Sequence, residues 1–377
     1  MDPYLQVLVT ILLIMSGIIG LFLAAIVAMR LLASNDEKKY RLWEKEWEAF
    51  FLDYMLGDLT LKDIPANLKN NPNPTWLRRF FAPYLETLDG RDFDAVKALC
   101  REIGLIDYHR KKLSGLSTYK KAIAAKFLGQ VRCKESVPER IKMLESNKPL
   151  LVLASAQGLA VSNEPGTFRP VLKALLNDTY FTYEGITELL TRFGRDICIP
   201  ITQMLNLYSK NAIAVHPAPA EQRHKKVSAG YGVNRTVYII ILIDLLGHFK
   251  YIEAIPVLNR MLAKVDSETI IHILKAFLRL GQLPEKYDPK PYLLHQDWVV
   301  RSFAAQTTGL AKDMSAIILL DQLLEDEQWW VRYHAAKALL SLGEPGYSRL
   351  WQKQKKSPES KAAAISSYIL AAKEVGQ

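Results

Sequence analysis

The run from Leu5 to Met29 (LQVLVTILLIMSGIIGLFLAAIVAM) contains no charged residue, and it limits what this chain can be more than any other feature. As a helix rising 1.5 Å per residue, it is long enough to cross a hydrocarbon layer of about 30 Å. A cleaved signal peptide is the competing reading. Against it, Met1-Asp2-Pro3-Tyr4 carries no Lys or Arg, the apolar run exceeds an ordinary signal core, and Arg30-Leu31-Leu32 follows. The expectation is a retained single-pass anchor. Ser16, Gly17 and Gly20 form a small-residue spot where another membrane helix can approach closely. Arg30, Lys38, Lys39, Arg41 and Lys45 follow the span, so the positive-inside rule places the bulk of the chain in the cytoplasm at the cell membrane.

Composition agrees that the apolar excess is local. The mean hydropathy is −0.00 although 23% of the residues are charged, and no second stretch matches the first. The 377 residues suffice for two or three domains. Cys100, Cys133 and Cys198 are odd in number and widely spaced, which predicts reduced core thiols rather than a disulfide or metal framework.

After the anchor (1–34), a juxtamembrane helix and linker (35–74) carry Trp43, Trp47, Phe50, Phe51 and Tyr54 at helical spacing. This aromatic stripe either lies in the bilayer interface or caps the first helical layer, and the second reading is preferred. Asn67 to Pro74 (NLKNNPNP) is the clearest linker. Residues 75–116 read as a helical cap and 117–377 as a repeat array. Almost no strand signal appears.

The array shows itself by self-similarity. Asp297-Trp298-Val299-Val300-Arg301-Ser302-Phe303-Ala304-Ala305 aligns with Gln328-Trp329-Trp330-Val331-Arg332-Tyr333-His334-Ala335-Ala336, a step of 31 residues. In looser units the first helical segment runs to about Gly129, Gly158, Gly247 and Gly281, and after the first three a second amphipathic segment follows (Pro138 to Leu144, Phe168 to Leu176, Ala254 to Leu262). Small residues let neighbouring helices approach, and a glycine after the first helix is expected to allow the turn to its partner. The spacing and the D/E-x-x-W-V-R-x-x-A-A signature resemble HEAT repeats of the phycobilisome-lyase type, from about Lys112 to the C-terminus. That resemblance implies an all-α fold, a right-handed α-solenoid of helical hairpins preceded by one transmembrane helix. It also implies a protein-binding scaffold. Anchored HEAT proteins of this design are similar to bacterial partners of membrane glycosyltransferases that make polysaccharide.

HEAT-like repeats also occur in bilin lyases and in an iron hydroxylase. The hydroxylase pattern requires His-Glu pairs, and none of His109, His216, His224, His248, His272, His295 and His334 is followed by Glu. No P-loop, nucleophile elbow or zinc spacing occurs. The expectation is therefore a non-enzyme without catalytic, cofactor or metal residues. It binds a protein, itself of the membrane, through Trp298, Arg301, Trp329, Trp330 and Arg332, since Trp and Arg dominate interfaces. A basic insertion near 209–234 breaks the repeat rhythm. Its Arg223, His224, Lys225, Lys226 and Tyr231 are candidates for an anionic partner such as lipid headgroups, a nucleotide or an acidic protein. A ligand-sensing or lyase-like enzyme acting through that insertion is the alternative function. The net charge of +10 favours a membrane surface over nucleic acid, because the basic residues are dispersed and no recognition helix or stacking motif accompanies them.

Overall fold

A computed structural model describes residues 3–66, 68, 73–162, 164–177, 180–211, 235–356 and 358–375. Among these the chain forms nineteen α-helices and no strand. It divides into two compact units, Met1–Cys133 and Lys134–Gln377.

The first unit begins with a single unbroken helix, α1 (Pro3–Leu56). Its apolar half is exposed along the described length, from Val9 through Leu32. The aromatic half is the opposite case. Tyr40, Trp47, Phe50 and Phe51 are buried against α2 (Pro74–Thr87), which presents Trp76, Phe80, Phe81 and Tyr84 at matching helical spacing. Ring centroids lie 5.7 Å apart for Trp43 and Trp76, 5.5 Å for Phe51 and Phe80, and 5.7 Å for Trp47 and Phe81. The stripe is thus core of the helical cap rather than an interfacial face. Each ring pair adds about 0.5–1.5 kcal/mol beyond burial. Asn73 caps α2 by accepting from the Thr75 and Trp76 amides, with Pro74 at the first helical position. Residues 67 and 69–72 of the expected linker lie outside the described residues.

Three further helices, α3 (Gly90–Glu102), α4 (Leu105–Leu113) and α5 (Thr118–Gln130), complete this unit. His109 of α4 is only 4% exposed, 4.5 Å from the Phe127 ring, and neither ring nitrogen finds a hydrogen-bond partner. Burial first, then the charges of Arg78 and Lys112, pushes its pKa down to about 4. A folded-state pKa below the unfolded value means the stability is fully present above about pH 6.5 and is lost as pH falls toward 4. The loss should reach about 3 kcal/mol at pH 4. Denaturant unfolding of the detergent-solubilised chain, followed from pH 7 to pH 4 through the tryptophans of this unit, should show it. His109→Leu should flatten that profile; an unchanged slope would sink the assignment.

The second unit is a succession of helical hairpins. Its helices are α6 (Val137–Met143), α7 (Pro149–Val161), α8 (Phe168–Asn177), α9 (Tyr183–Thr191), α10 (Cys198–Asn211), α11 (Arg235–His248), α12 (Ile255–Leu262), α13 (Ser267–Leu280), α14 (Lys290–Leu293), α15 (Trp298–Ala311), α16 (Ile317–Leu323), α17 (Trp329–Ser341), α18 (Glu344–Lys356) and α19 (Lys361–Val375). Each first helix packs on the next, α9 on α11, α11 on α13, α13 on α15, α15 on α17, and the second helices pack beside them. A 3-10 turn leads into α6, α8, α10, α12 and α16. One apolar core runs from Leu144 to Leu370.

The glycines do different work from that expected. Gly129, Gly158 and Gly247 lie inside the ends of first helices, and the left-handed turn that follows falls on Arg132 (φ 48°) and Lys250 (φ 49°), with Lys312 (φ 51°) at the same place after α15. Of these four glycines, only Gly281 (φ 68°) is itself the left-handed cap. Gly247 instead lets α13 approach: a Cβ there would stand 3.2 Å from the Ala276 Cα. The three cysteines are buried, and none forms a disulfide.

Candidate functional site

The two signature hairpins, α15–α16 and α17–α18, carry the candidate binding residues. Each first helix opens on tryptophan. Asp297 caps α15, accepting from the Val299 amide at 2.8 Å, whereas Gln328 before α17 makes no side-chain cap bond. The indoles stand exposed at the start of each helix. Trp298 is 37% exposed, Trp329 42% and Trp330 53%, well above the usual burial of tryptophan.

Around α17 they form a cluster. Trp329 and Trp330 meet edge to face at 4.8 Å, and Trp329 stacks on Tyr333 at 5.0 Å. Trp330 stacks on His334 at 5.9 Å. Tyr368 of α19 reaches Trp329 at 6.5 Å and Tyr333 at 6.3 Å. Burial, with the nearby Lys337 charge, holds the His334 imidazole below its usual range. Tyr333 and Tyr368 were not singled out from sequence. Tyr333 was visible beside the tryptophans, whereas Tyr368 comes from the next hairpin and becomes a neighbour only in the fold.

The two arginines are placed otherwise. Arg301 donates from Nη1 to the His295 and Gln296 carbonyls, and from Nε and Nη2 to the Asp326 carboxylate at 2.8 and 3.1 Å. Arg332 donates to the Asp326 and Glu327 carbonyls at 2.7 and 2.9 Å. Each guanidinium closes the turn before its own helix, and Arg301 ties that turn to the next repeat. Arg223, His224, Lys225, Lys226 and Tyr231 lie outside the described residues.

The fold also builds a second, polar site. Asp244 of α11 is 7% exposed, at the floor of an open groove of about 620 Å³ lined by Tyr183, Glu184, Glu188, His248, Lys250 and Arg279 among others. The groove lies between α9 and the C-terminal turns of α11, with Arg279 of α13 at its edge. The Asp244 carboxylate accepts from the Tyr183 hydroxyl, lies 3.0 Å from His272 Nδ1, and lies 3.5 Å from Arg279 Nη1. Burial alone would raise its pKa. The hydrogen bonds from His272 and Tyr183, with the charges of His272 and Arg279, outweigh burial and hold the carboxyl below its ordinary value. The Tyr183 hydroxyl is pushed well above the phenol range, by burial first and then by Asp244. The signal in the sequence was a lone acid inside the apolar run Val237 to Leu246. Among the described residues, no group of three or more His, Cys, Asp or Glu is placed to hold a metal.

Residues 290–368 match the model of the HEAT repeats family, and they contain the aromatic cluster and both turn-closing arginines. No curated protein matches the chain. Among solved structures, an engineered protein is 14% identical with a TM-score of 0.35, covering 81% of this chain and 86% of that one. The complex of CpcE and CpcF of phycocyanin lyase from Nostoc sp. PCC7120 is also 14% identical, with a TM-score of 0.23, covering 82% and 98%. At those values neither carries functional weight. The chain is an all-α stack of helices packed as repeat neighbours, in which residues 290–368 match HEAT repeats, with one long apolar helix near its N-terminus.

Proposed function

We propose that this chain is a membrane-anchored scaffold that binds another protein through the aromatic face of its terminal HEAT hairpins, and that it binds rather than catalyses. The observation that carries the reading is the cluster of half-exposed tryptophans fixed on a helix of the repeat unit. Rigid aromatic side chains on a regular element give large contact area at little ordering cost, which is how interface hot spots are built. Support for the anchor comes from α1. Its apolar half continues without a break into the half whose Trp47, Phe50 and Phe51 are core, so the membrane segment is part of a folded unit. Lys and Arg follow the span, which favours a cytoplasmic array. The resemblance to anchored HEAT proteins points to a membrane enzyme as partner, such as a polysaccharide-synthesising glycosyltransferase.

Affinity purification of the full chain from native membranes in mild detergent tests this. A stoichiometric membrane protein should co-purify and be depleted at least about tenfold by Trp329→Ala with Trp330→Ala, as expected for two hot-spot residues at about 1–2 kcal/mol each. Because both indoles are about half exposed, the variant should keep its unfolding midpoint within a few degrees. Identical recovery from the variant would reject the aromatic face. Absence of the chain from the membrane fraction would reject the anchor.

A further inference from the structure

The helix α18 (Glu344–Lys356) presents a second aromatic face unlike the first. Its outward positions, Ser348, Trp351, Gln352, Lys355 and Lys356, fall at helical spacing on one side, while Leu350 on the other is fully buried. Trp351 is 44% exposed, and the Lys355 ammonium sits 3.7 Å from its ring centroid. Indole and ammonium therefore leave the helix together, in the same direction. The remaining basic residues of the helix differ in state. Arg349 and Lys353 both reach the Asp321 carboxylate at 3.5 Å. Lys355 and Lys356 remain exposed in its last turn.

We propose that this face seats on the anionic headgroups of a lipid bilayer, with Trp351 in the interface and Lys355 and Lys356 at the phosphates. A tryptophan flanked by lysines matches that boundary, where indole is favoured and each nearby Lys adds attraction. An acidic protein would complement the lysines but would leave the cation-capped indole without an apolar counterpart. The exposed apolar half of α1 is an independent sign that a bilayer lies within reach of this chain. The inference rests on the anchored reading for that bilayer, but uses none of the residues assigned to the protein partner.

The test uses the full chain in nanodiscs of phosphatidylcholine alone or with about a third phosphatidylglycerol, and measures lysine acetylation by mass spectrometry. Lys355 and Lys356 should label roughly tenfold more slowly in the anionic discs, while Lys264, in a turn elsewhere, stays constant. About 0.5 M salt should restore labelling, since the screening length then falls to about 4 Å. Trp351→Ala should remove most of the protection, because lysines held only by charge exchange rapidly. Equal labelling in both discs, protection that survives Trp351→Ala, or protection only after adding a membrane-protein extract overturns the proposal. Failure to enter nanodiscs at all would instead overturn the anchor, so the two readings fail separately.

Discussion

Gly346→Ala should unfold the last hairpin. A Cβ at this position would overlap the Leu339 carbonyl oxygen of α17 and lie 2.6 Å from its carbon and 3.1 Å from its Cα. The obstacle is backbone, so no rotamer relieves it; α18 must move away from α17. Leu350, fully buried, moves with it, and so does the seat of α19. Overpacking of this kind costs about 3 kcal/mol or more, since the displaced element also gives up its own burial. In a unit of this size that corresponds to a fall in unfolding midpoint of roughly 6–10 °C. Two other glycines set the scale. A Cβ at Gly309 would meet the Ala338 Cα at 3.1 Å and Ala338 Cβ at 3.2 Å, a milder clash expected at about 1–2 kcal/mol. Gly281 faces open space and has only its positive φ to lose, about 1 kcal/mol. Thermal unfolding of the three variants should rank them in that order. If Gly346→Ala melts within two degrees of the parent, the close contact of α17 and α18 is wrong. Limited proteolysis between 343 and 361 should report the same opening.

That contact also shows what the sequence could and could not say. The repeat signature from Asp297 to Gly343 is local, because the tryptophan, the Val-Arg pair and the paired alanines all recur at a fixed step, and it is readable for that reason. Gly346 carries no such mark; its importance depends on a helix from the preceding segment. The left-handed turns at Arg132, Lys250 and Lys312 are equally silent, since Lys and Arg have no preference for that conformation and the neighbouring glycines drew attention instead. The aromatic stripe of α1 had two readings from its own residues. Trp76, Phe80, Phe81 and Tyr84 form the complementary stripe that decides between them, and they are adjacent in sequence terms only to the linker. Arg301 and Arg332 looked like interface residues by type. Their bonds to turn carbonyls five and six positions back arise from helix-start geometry that residue type does not encode.

Asp244 is the other place where one side chain holds several elements. Its carboxylate joins Tyr183 of α9 to His272 and Arg279 of α13 across α11, so three consecutive first helices share one buried charge. Asp244→Ala would leave the Tyr183 hydroxyl and His272 imidazole without their acceptor and Arg279 without its counter-charge. Breaking a buried pair in this way costs about 3–5 kcal/mol. Because the folded-state carboxyl lies below its ordinary pKa, the contribution is present in full above about pH 4 and fades only as pH falls below it. The single variant should therefore be strongly destabilised at neutral pH. Tyr183→Phe should cost about 1 kcal/mol, the loss of one hydrogen bond. Arg279→Ala should cost less, because its side chain is half exposed and its contact long. The informative comparison is the triple variant Tyr183→Phe, Asp244→Leu, His272→Leu. Replacing the whole network with apolar groups of similar volume removes the orphaned polar atoms together with the charge, and should recover most of the stability lost by Asp244→Ala. Chemical denaturation at pH 7 separates the possibilities. Recovery in the triple variant would mean the carboxylate is kept for the polarity of the groove rather than for stability. If Asp244→Ala alone costs under about 1 kcal/mol, the three helices are held by their apolar faces, and the network is only a lining of the groove.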